Sequence, residues 1–316
     1  MDKYCTNVKV RAPASIANIG PGFDILAMAI EGIYDIVEIT ICRGNGLIDV
    51  KAGGLDVPSG KDNIVYAIAQ NIIKKYGLYN IDIVINVVKG VPPASGLGSS
   101  GASSAATAYA FMKFLNREYD EYEMLKIAGE GEVAAVGTPH YDNVAASLFG
   151  GIVVLDLNKE RVYKIKPGFS IHIAVVIPKG VVKVSRKTEF ARSVLPKSID
   201  LAIHVKQSSA IAKLMYSLMN NDIELFGEAI STDFIAEPYR ANLIPYYYEL
   251  KELALKLGAL GFNISGAGPA VFSIYRSGEE ALNVGKKLIS FLNDKGLYSD
   301  LIVTRVSHKG VEILGE

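Results

Sequence analysis

The stretch VPPASGLGSSGASSAAT, residues 91–107, contains Gly96-Leu97-Gly98-Ser99-Ser100-Gly101, a G-x-G-x-x-G pattern that more than one kind of phosphate loop shares. A Walker loop needs Lys and then Ser or Thr directly after its last glycine, so that the ammonium reaches the terminal phosphates. Ala102 and Ser103 follow Gly101 here, which excludes it. A dinucleotide fingerprint needs its first glycine at the tight turn leaving a strand, with an acidic residue about 20 positions on. The preceding strand-like run ends near Lys89, Pro92 and Pro93 intervene, and Glu118 and Asp120 fall beyond the helix in a polar loop. What remains is a glycine- and serine-rich loop that runs directly into a helix. The helix start has unpaired N–H groups and partial positive charge, which favour an anion. Gly96, Gly98 and Gly101 let backbone amides approach phosphate oxygens with no Cβ in the way. A tightly packed helix cap would look similar; phosphate binding is the expectation.

Around this loop the first half reads as strands and helices in turn. NVKVRA, YDIVEITICR and IDIVINVVK are strand-like. DNIVYAIAQNIIKKYG has helical spacing from Ile64 to Tyr76 and a stop signal at Gly77. The helix after the loop, to about Leu115, begins almost entirely with Ser, Ala and Gly, a narrow surface that predicts a central position. DEYEMLKIAGEGEVAAVG predicts another helix, TPHYDNVAASLFGG a loop, and GIVVLDL a strand. In the second half, SIHIAVVIPKG reads as a buried strand, followed by helical periodicity in DLAIHVKQSSAIAKLMYSLMN and DIELFGEAISTDF. FNIS, the turn GAGP and AVFSIY read as a hairpin, and GEEALNVGKKLISFLND with LIVTRVS as a closing helix and strand. With its extra helix this is the β-α-β-β-α-β order of a ferredoxin-like unit. The Pro and Gly of YKIKPGFS place a boundary there, giving domains 1–166 and 167–316.

Bulk properties limit the function classes. Half of the 316 residues are hydrophobic and 21% are charged, the balance of a folded globular chain. Lys+Arg and Asp+Glu both total 33, so no global basic field attracts nucleic acid or an anionic membrane. No apolar run approaches the roughly 20 residues that span a bilayer, and MDKYCTNVKV does not read as a leader peptide. Cys5 and Cys42 have neither metal-ligand spacing nor a disulfide framework around them and read as separate thiols. Together these lead to the expectation of a cytoplasmic protein.

Two further stretches, APASIANIGPGFDILAMAI at 12–30 and NISGAGPAVFSIY at 263–275, combine with the loop into a pattern that resembles the three motifs of the GHMP kinases. Within that superfamily, PASIANIGPGFD, PPASGLGSSGAS, HYDNVAASLFGG, IAEPYRANLIP and GAGP stand in the order seen in the homoserine kinases, so the resemblance covers nearly the whole chain. It implies an α+β fold with an N-terminal domain like domain 2 of ribosomal protein S5 and a C-terminal ferredoxin-like domain. It also implies ATP and L-homoserine as substrates, Mg²⁺ as cofactor, a site between the domains, and a homodimer.

The resemblance assigns residues one at a time. Pro92, Pro93, Ala94, Ser95, Gly96, Leu97, Gly98, Ser99, Ser100, Gly101 and Ala102 match the ATP phosphate loop, with Ser100 on the magnesium side. Glu132, eight residues before His140, matches the carboxylate that holds Mg²⁺, a hard ion that takes oxygen ligands. Asn63 matches a residue near the adenine. Homoserine is a zwitterion: Asp24, with Asn18 beside it, suits the ammonium, and the guanidinium forks of Arg192 and Arg240 suit the carboxylate. Thr188 matches a minor substrate contact, in a segment two residues longer than in bacterial relatives around Arg186 and Lys187. Gly266, Ala267 and Gly268 match a turn that brings backbone to the substrate and the first motif.

Related mevalonate kinases carry an aspartate base seven residues before a Gly-Gly; the same position before Gly150 holds Asn143. An amide is no useful base, so the resemblance implies catalysis by positioning, Asn143 orienting the hydroxyl and the phosphate taking the proton. Asp142 is then structural, and His140 a contact rather than a base. Another GHMP kinase, for mevalonate or shikimate, a lyase like mevalonate diphosphate decarboxylase, and a non-catalytic binder are the alternatives. Asp24 argues against mevalonate, which has no ammonium; intact Ser100 and Glu132 argue against the binder.

Overall fold

The computed structural model describes residues 5–136, 140–181 and 187–315. Its first sheet is built on two long neighbours, β1 (Cys5–Ala17) and β2 (Leu26–Arg43), which run antiparallel from Cys5↔Cys42 to Ala17↔Ala27 with a register shift between Pro13 and Ser15. β3 (Ile48–Gly54) leads through α1 (Ile64–Tyr76) to β4 (Ile81–Lys89), and β3 pairs with β4 in parallel. α2 (Ser99–Phe114), α3 (Glu121–Val136) and α4 (Tyr141–Phe149) follow, then the hairpin β5 (Ile152–Asp156) and β6 (Arg161–Ile165), which joins the inner end of β2.

The second half opens with β7 (His172–Pro178), α5 (Lys187–Ser193), α6 (Leu201–Asn220), α7 (Ile223–Ile230), the single turn α8 (Glu237–Arg240) and α9 (Tyr247–Lys256). The hairpin β8 (Gly261–Ile264) and β9 (Val271–Tyr275), α10 (Gly278–Asp294) and β10 (Ser299–Arg305) complete a four-stranded antiparallel sheet in the order β10-β7-β9-β8. That order is the ferredoxin-like one expected from the β-α-β-β-α-β reading.

Strand periodicity explains how the two sheets share a core. Along β7, Ile173, Val175 and Ile177 join the main core, while Ala174 and Val176 face a second cluster with Leu250 and Leu288. β9 alternates likewise, Phe272 and Ile274 in the main core and Val271 and Tyr275 in the second cluster. α2 is buried along most of its length, its Ala, Ser and Gly surface admitting close neighbours, as the composition predicts.

Three features depart from the sequence reading. The segment expected as a loop at 138–151 contains α4, a helix without a Ser, Thr, Asp or Asn cap signal: its N-cap is His140, which makes no side-chain capping bond. The chain does not end at β10; β11 (Glu312–Ile313) returns to the first sheet and pairs with β1, so the expected division at 166/167 separates β6 from β7 but leaves the last residues on the N-terminal sheet. Cys5 and Cys42 are not separate thiols. They are cross-strand partners, with Cα atoms 4.2 Å apart, and form a disulfide. The pairing follows from strand register across 37 residues of sequence, which spacing alone does not disclose.

Candidate active site

Three connections converge where the inner end of β1, the start of α2, the start of α4 and the β8–β9 turn meet. The phosphate loop leaves β4 at Lys89 and enters α2 at Ser99, with Gly98 as an N-cap in the left-handed region, φ 66°. No side chain caps this helix among the described residues, so its first amides are open to an anion. A Cβ on Gly98 would lie 2.1 Å from Ser15 Oγ and 2.6 Å from Asn143 Oδ1. Asn143 therefore sits against the loop: its Oδ1 accepts a 2.9 Å bond from the buried Ser15 hydroxyl. Ser95 and Ser99 turn their hydroxyls on the loop itself, donating to Pro92 O and Val91 O. Ser100 makes no such bond among the described residues.

Beneath the loop lies a network that sequence reasoning missed. Lys89, 5% exposed, donates from Nζ to Asp35, to Ser103 Oγ at 2.8 Å and to Ser99 O at 2.6 Å. Asp35 in turn accepts from the amides of Gly90 and Val91. Burial lowers the pKa of Lys89, and Asp35 opposes that shift. The pair bolts both ends of the phosphate loop to β2; its only sequence trace is two ordinary charged residues at strand positions.

The GAGP turn closes the loop from the other side. Ser265 donates from Oγ to Gly96 O at 2.7 Å, and the Ala270 amide donates to Ser95 O. Gly266, φ 55°, is the meeting point: its N–H donates to Ala17 O, while its carbonyl accepts from Asn18 Nδ2 at 3.0 Å and Arg240 Nη1 at 2.9 Å. The first motif, the turn and Arg240 are thereby joined.

Asp24 and Arg192 form a two-pronged ion pair, 2.9 and 3.0 Å, in which both oxygens of the carboxylate accept. Arg192 is on α5, and its buried Nε has no partner among the described residues. Arg240, on α8 and 4% exposed, donates to Ala191 O and Gly266 O. Burial lowers its pKa to about 10, against the attraction of Asp24. Both guanidinium groups lie over the Phe23 ring, at 5.6 and 5.1 Å. Two arginines and one aspartate from distant segments thus share one place. Asn18 braces it, its Oδ1 accepting from the Asp24 amide.

Glu132 is fully buried on α3. Its Oε2 accepts from the His140 amide at 2.9 Å and lies 3.4 Å from His140 Nδ1, while Oε1 has no partner among the described residues. A carboxylate oxygen left without a donor in the interior is costly unless a cation or donor completes it, so the free oxygen of Glu132 fits a Mg²⁺ ligand, and the Ser100 hydroxyl is a suitable oxygen beside phosphate. His140 Nε2 is also buried and has no partner among the described residues. Asp142, at the start of α4, accepts from the Asn143 amide at 2.8 Å; burial, then the charge of Asp24, raises its pKa to about 6. Asn63 lies apart from this cluster of bonds as the N-cap of α1, its amide bonded to Val65 N–H and Pro58 O. Arg186 lies outside the described residues, as do the side chains of Lys187 and Thr188.

Residues 63–151 match the GHMP kinases N terminal domain and residues 214–294 the GHMP kinases C terminal. A homoserine kinase of Pyrococcus horikoshii is 37% identical over 94% of this chain and 97% of its own length. One of Methanopyrus kandleri is 38% identical over 84% of this chain and 86% of its own. The crystal structure of a homoserine kinase from Cytophaga hutchinsonii superposes with a TM-score of 0.88 at 33% identity, covering 98% of this chain and 97% of that one. A mevalonate kinase of L. major and a mevalonate diphosphate decarboxylase of Staphylococcus aureus share the fold alone, both with TM-scores of 0.73 at 16% and 17% identity. With family models over both halves and relatives this similar along nearly its full length, the chain belongs to the homoserine kinases of the GHMP superfamily.

Proposed function

We propose that the protein transfers the γ-phosphoryl group of ATP to the side-chain hydroxyl of L-homoserine, giving ADP and O-phospho-L-homoserine. The observation that carries this reading is the meeting of Asp24, Arg192 and Arg240 around Phe23, next to a phosphate loop against which Asn143 packs. An amino acid needs an anion for its ammonium and a cation for its carboxylate, and few other alcohols need both. In the structure Asp24 and Arg192 satisfy each other; the substrate's ammonium and carboxylate replace that pairing with two of the same kind. The partnerless Nε of Arg192 offers the carboxylate a further donor.

The open amides at the start of α2 receive the phosphates of ATP, and the Lys89–Asp35 pair keeps them in place. Mg²⁺, held by Glu132 and Ser100, would supply charge neutralisation at the phosphate oxygens. Asn143 orients the hydroxyl, and the phosphate oxygens accept its proton, since phosphoryl transfer asks mainly for positioning and electrostatics. Asn63 contributes to the adenine site through the placement of α1. A homodimer belongs to this reading as what the family resemblance implies, and a cytoplasmic location as what the bulk properties of the sequence suggest; no helix among the described residues is long and apolar enough to cross a membrane.

The test is ADP release with Mg²⁺-ATP against L-homoserine, D-homoserine, L-threonine, L-serine, mevalonate and shikimate. Preference for L-homoserine by about a hundredfold, near 2.7 kcal/mol, is the expected outcome. Turnover of mevalonate or shikimate in its place would remove the roles given to Asp24 and the two arginines.

A further inference from the structure

Asp24 and Arg240 stand on short segments outside the two sheets. Asp24 lies near the end of the irregular turn 18–25, in which Asn18, Ile19 and Asp24 all have positive φ. Arg240 is carried by α8, a single turn of helix that follows the irregular segment 231–236. Neither segment is a strand of either sheet. Besides the contacts of Asn18 and Arg240 at Gly266 O, one further side chain joins them. Gln207, in the middle of α6 and 4% exposed, donates from Nε2 to Pro21 O at 2.8 Å and to Asp233 Oδ1 at 3.0 Å. Its Oε1 accepts from the Phe234 amide at 2.8 Å. Asp233 passes the constraint on: it also accepts from the amides of Ile235, Ala236 and Glu237, the start of α8.

We propose that Gln207 is a positioning residue that fixes the separation of Asp24 and Arg240, and with it the fit of the amino-acid substrate. It touches neither of them and acts through Pro21 and through Asp233. Both N–H donors and the carbonyl of its amide are engaged, so the one side chain spans directly from the turn 18–25 to the segment that leads into α8. A glutamate there would set a carboxylate against Asp233 and a carbonyl. A methionine would leave Pro21 O and the Phe234 N–H without a buried partner, at a cost of about 1–3 kcal/mol for each such group. The helix itself gains nothing from an amide at this place, since apolar residues fill the neighbouring buried positions Ala210 and Leu214. The proposal rests on the reading of the site as one for an amino acid.

The experiment is steady-state kinetics of Gln207→Met beside the unaltered protein, with homoserine and ATP varied separately and thermal unfolding recorded. The expected result is a rise of about tenfold or more in KM for L-homoserine with KM for ATP within about twofold, the split that a substrate-positioning role demands. Equal rises in both KM values, or an unchanged KM for homoserine, would overturn it and leave Gln207 a packing residue. Should Gln207→Met not fold, Gln207→Asn, which keeps an amide but is one methylene too short to span both segments, is measured by the same criteria. If the unaltered protein turns over another alcohol and not homoserine, the functional reading fails separately, and the KM split is read with that alcohol.

Discussion

At the scale of the single residue, Asp142 separates two accounts of the chemistry. It is buried beside Asp24 and Asn143, where an aspartate base stands nearby in sequence in mevalonate kinases. If it were the base, Asp142→Asn would lose several orders of magnitude in turnover. Since Asn143 occupies the counted position and Asp142 is bonded to a backbone amide, turnover of Asp142→Asn stays within about tenfold of the parent, a loss typical of disturbed positioning. A second consequence concerns stability. Burial raises this carboxyl from 3.8 to about 6, so the folded protein binds the proton more tightly than the unfolded chain does. Its contribution is fully present below about pH 4 and is lost as pH rises to about 6, amounting to about 2–3 kcal/mol. Urea unfolding at about pH 4.5 and pH 7 should show the parent losing more stability across this window than Asp142→Asn; parallel losses would place the ionised group in a better-solvated setting than the structure gives it.

At the scale of the element, the loop into α2 is set by contacts that glycine alone permits. Gly98 has φ 66°, and a Cβ there meets Ser15 and Asn143 at 2.1 and 2.6 Å. Gly98→Ala therefore strains the backbone by about 1–2 kcal/mol and displaces Asn143 or the loop. KM for ATP is expected to rise by about tenfold or more and kcat to fall, with only a modest decrease in unfolding temperature; ordinary ATP kinetics would mean that the loop absorbs the methyl group without moving its amides. This element was readable in the sequence because its requirements are local: glycines for close approach, serines for hydroxyls, and a strand ending at Lys89. α4 was not, because nothing local starts it. It is fixed by packing on α2 and β1, with Ser147 donating to Pro13 O of β1. The Lys89–Asp35 pair and the Gln207 bridge were hidden for the same reason: each joins residues that only the tertiary fold brings within bonding distance, whereas Asp24, Arg192 and Arg240 could be named because the motifs around them are distinctive.

At the scale of the whole molecule, β1 connects the reactive end of the protein with its far edge. Its inner end supplies Ser15 and leads to Asn18 at the site; its outer end carries Cys5, bonded to Cys42 of β2. Twelve residues of extended chain separate Cys5 from Ala17, about 40 Å at the usual rise of a strand. Between them, β11 pairs at Val10 and Arg11, and Arg11 holds Glu312 with two bonds, so the middle of β1 is secured independently of the disulfide. Opening the disulfide should therefore loosen the outer end and leave the site intact. Closing a loop of this length restricts the unfolded chain by about 2–4 kcal/mol, and a Cys5→Ser, Cys42→Ser double variant should lose stability of that order in urea while kcat and both KM values stay as in the parent. A change in KM would mean that strain travels the length of β1 past the β11 clamp; unchanged stability would mean that strand pairing already constrains the two ends as tightly in the unfolded ensemble. The same bond removes the argument from cysteine count to compartment, since two cysteines far apart in sequence lacked the look of a framework only until the register of β1 on β2 set them face to face.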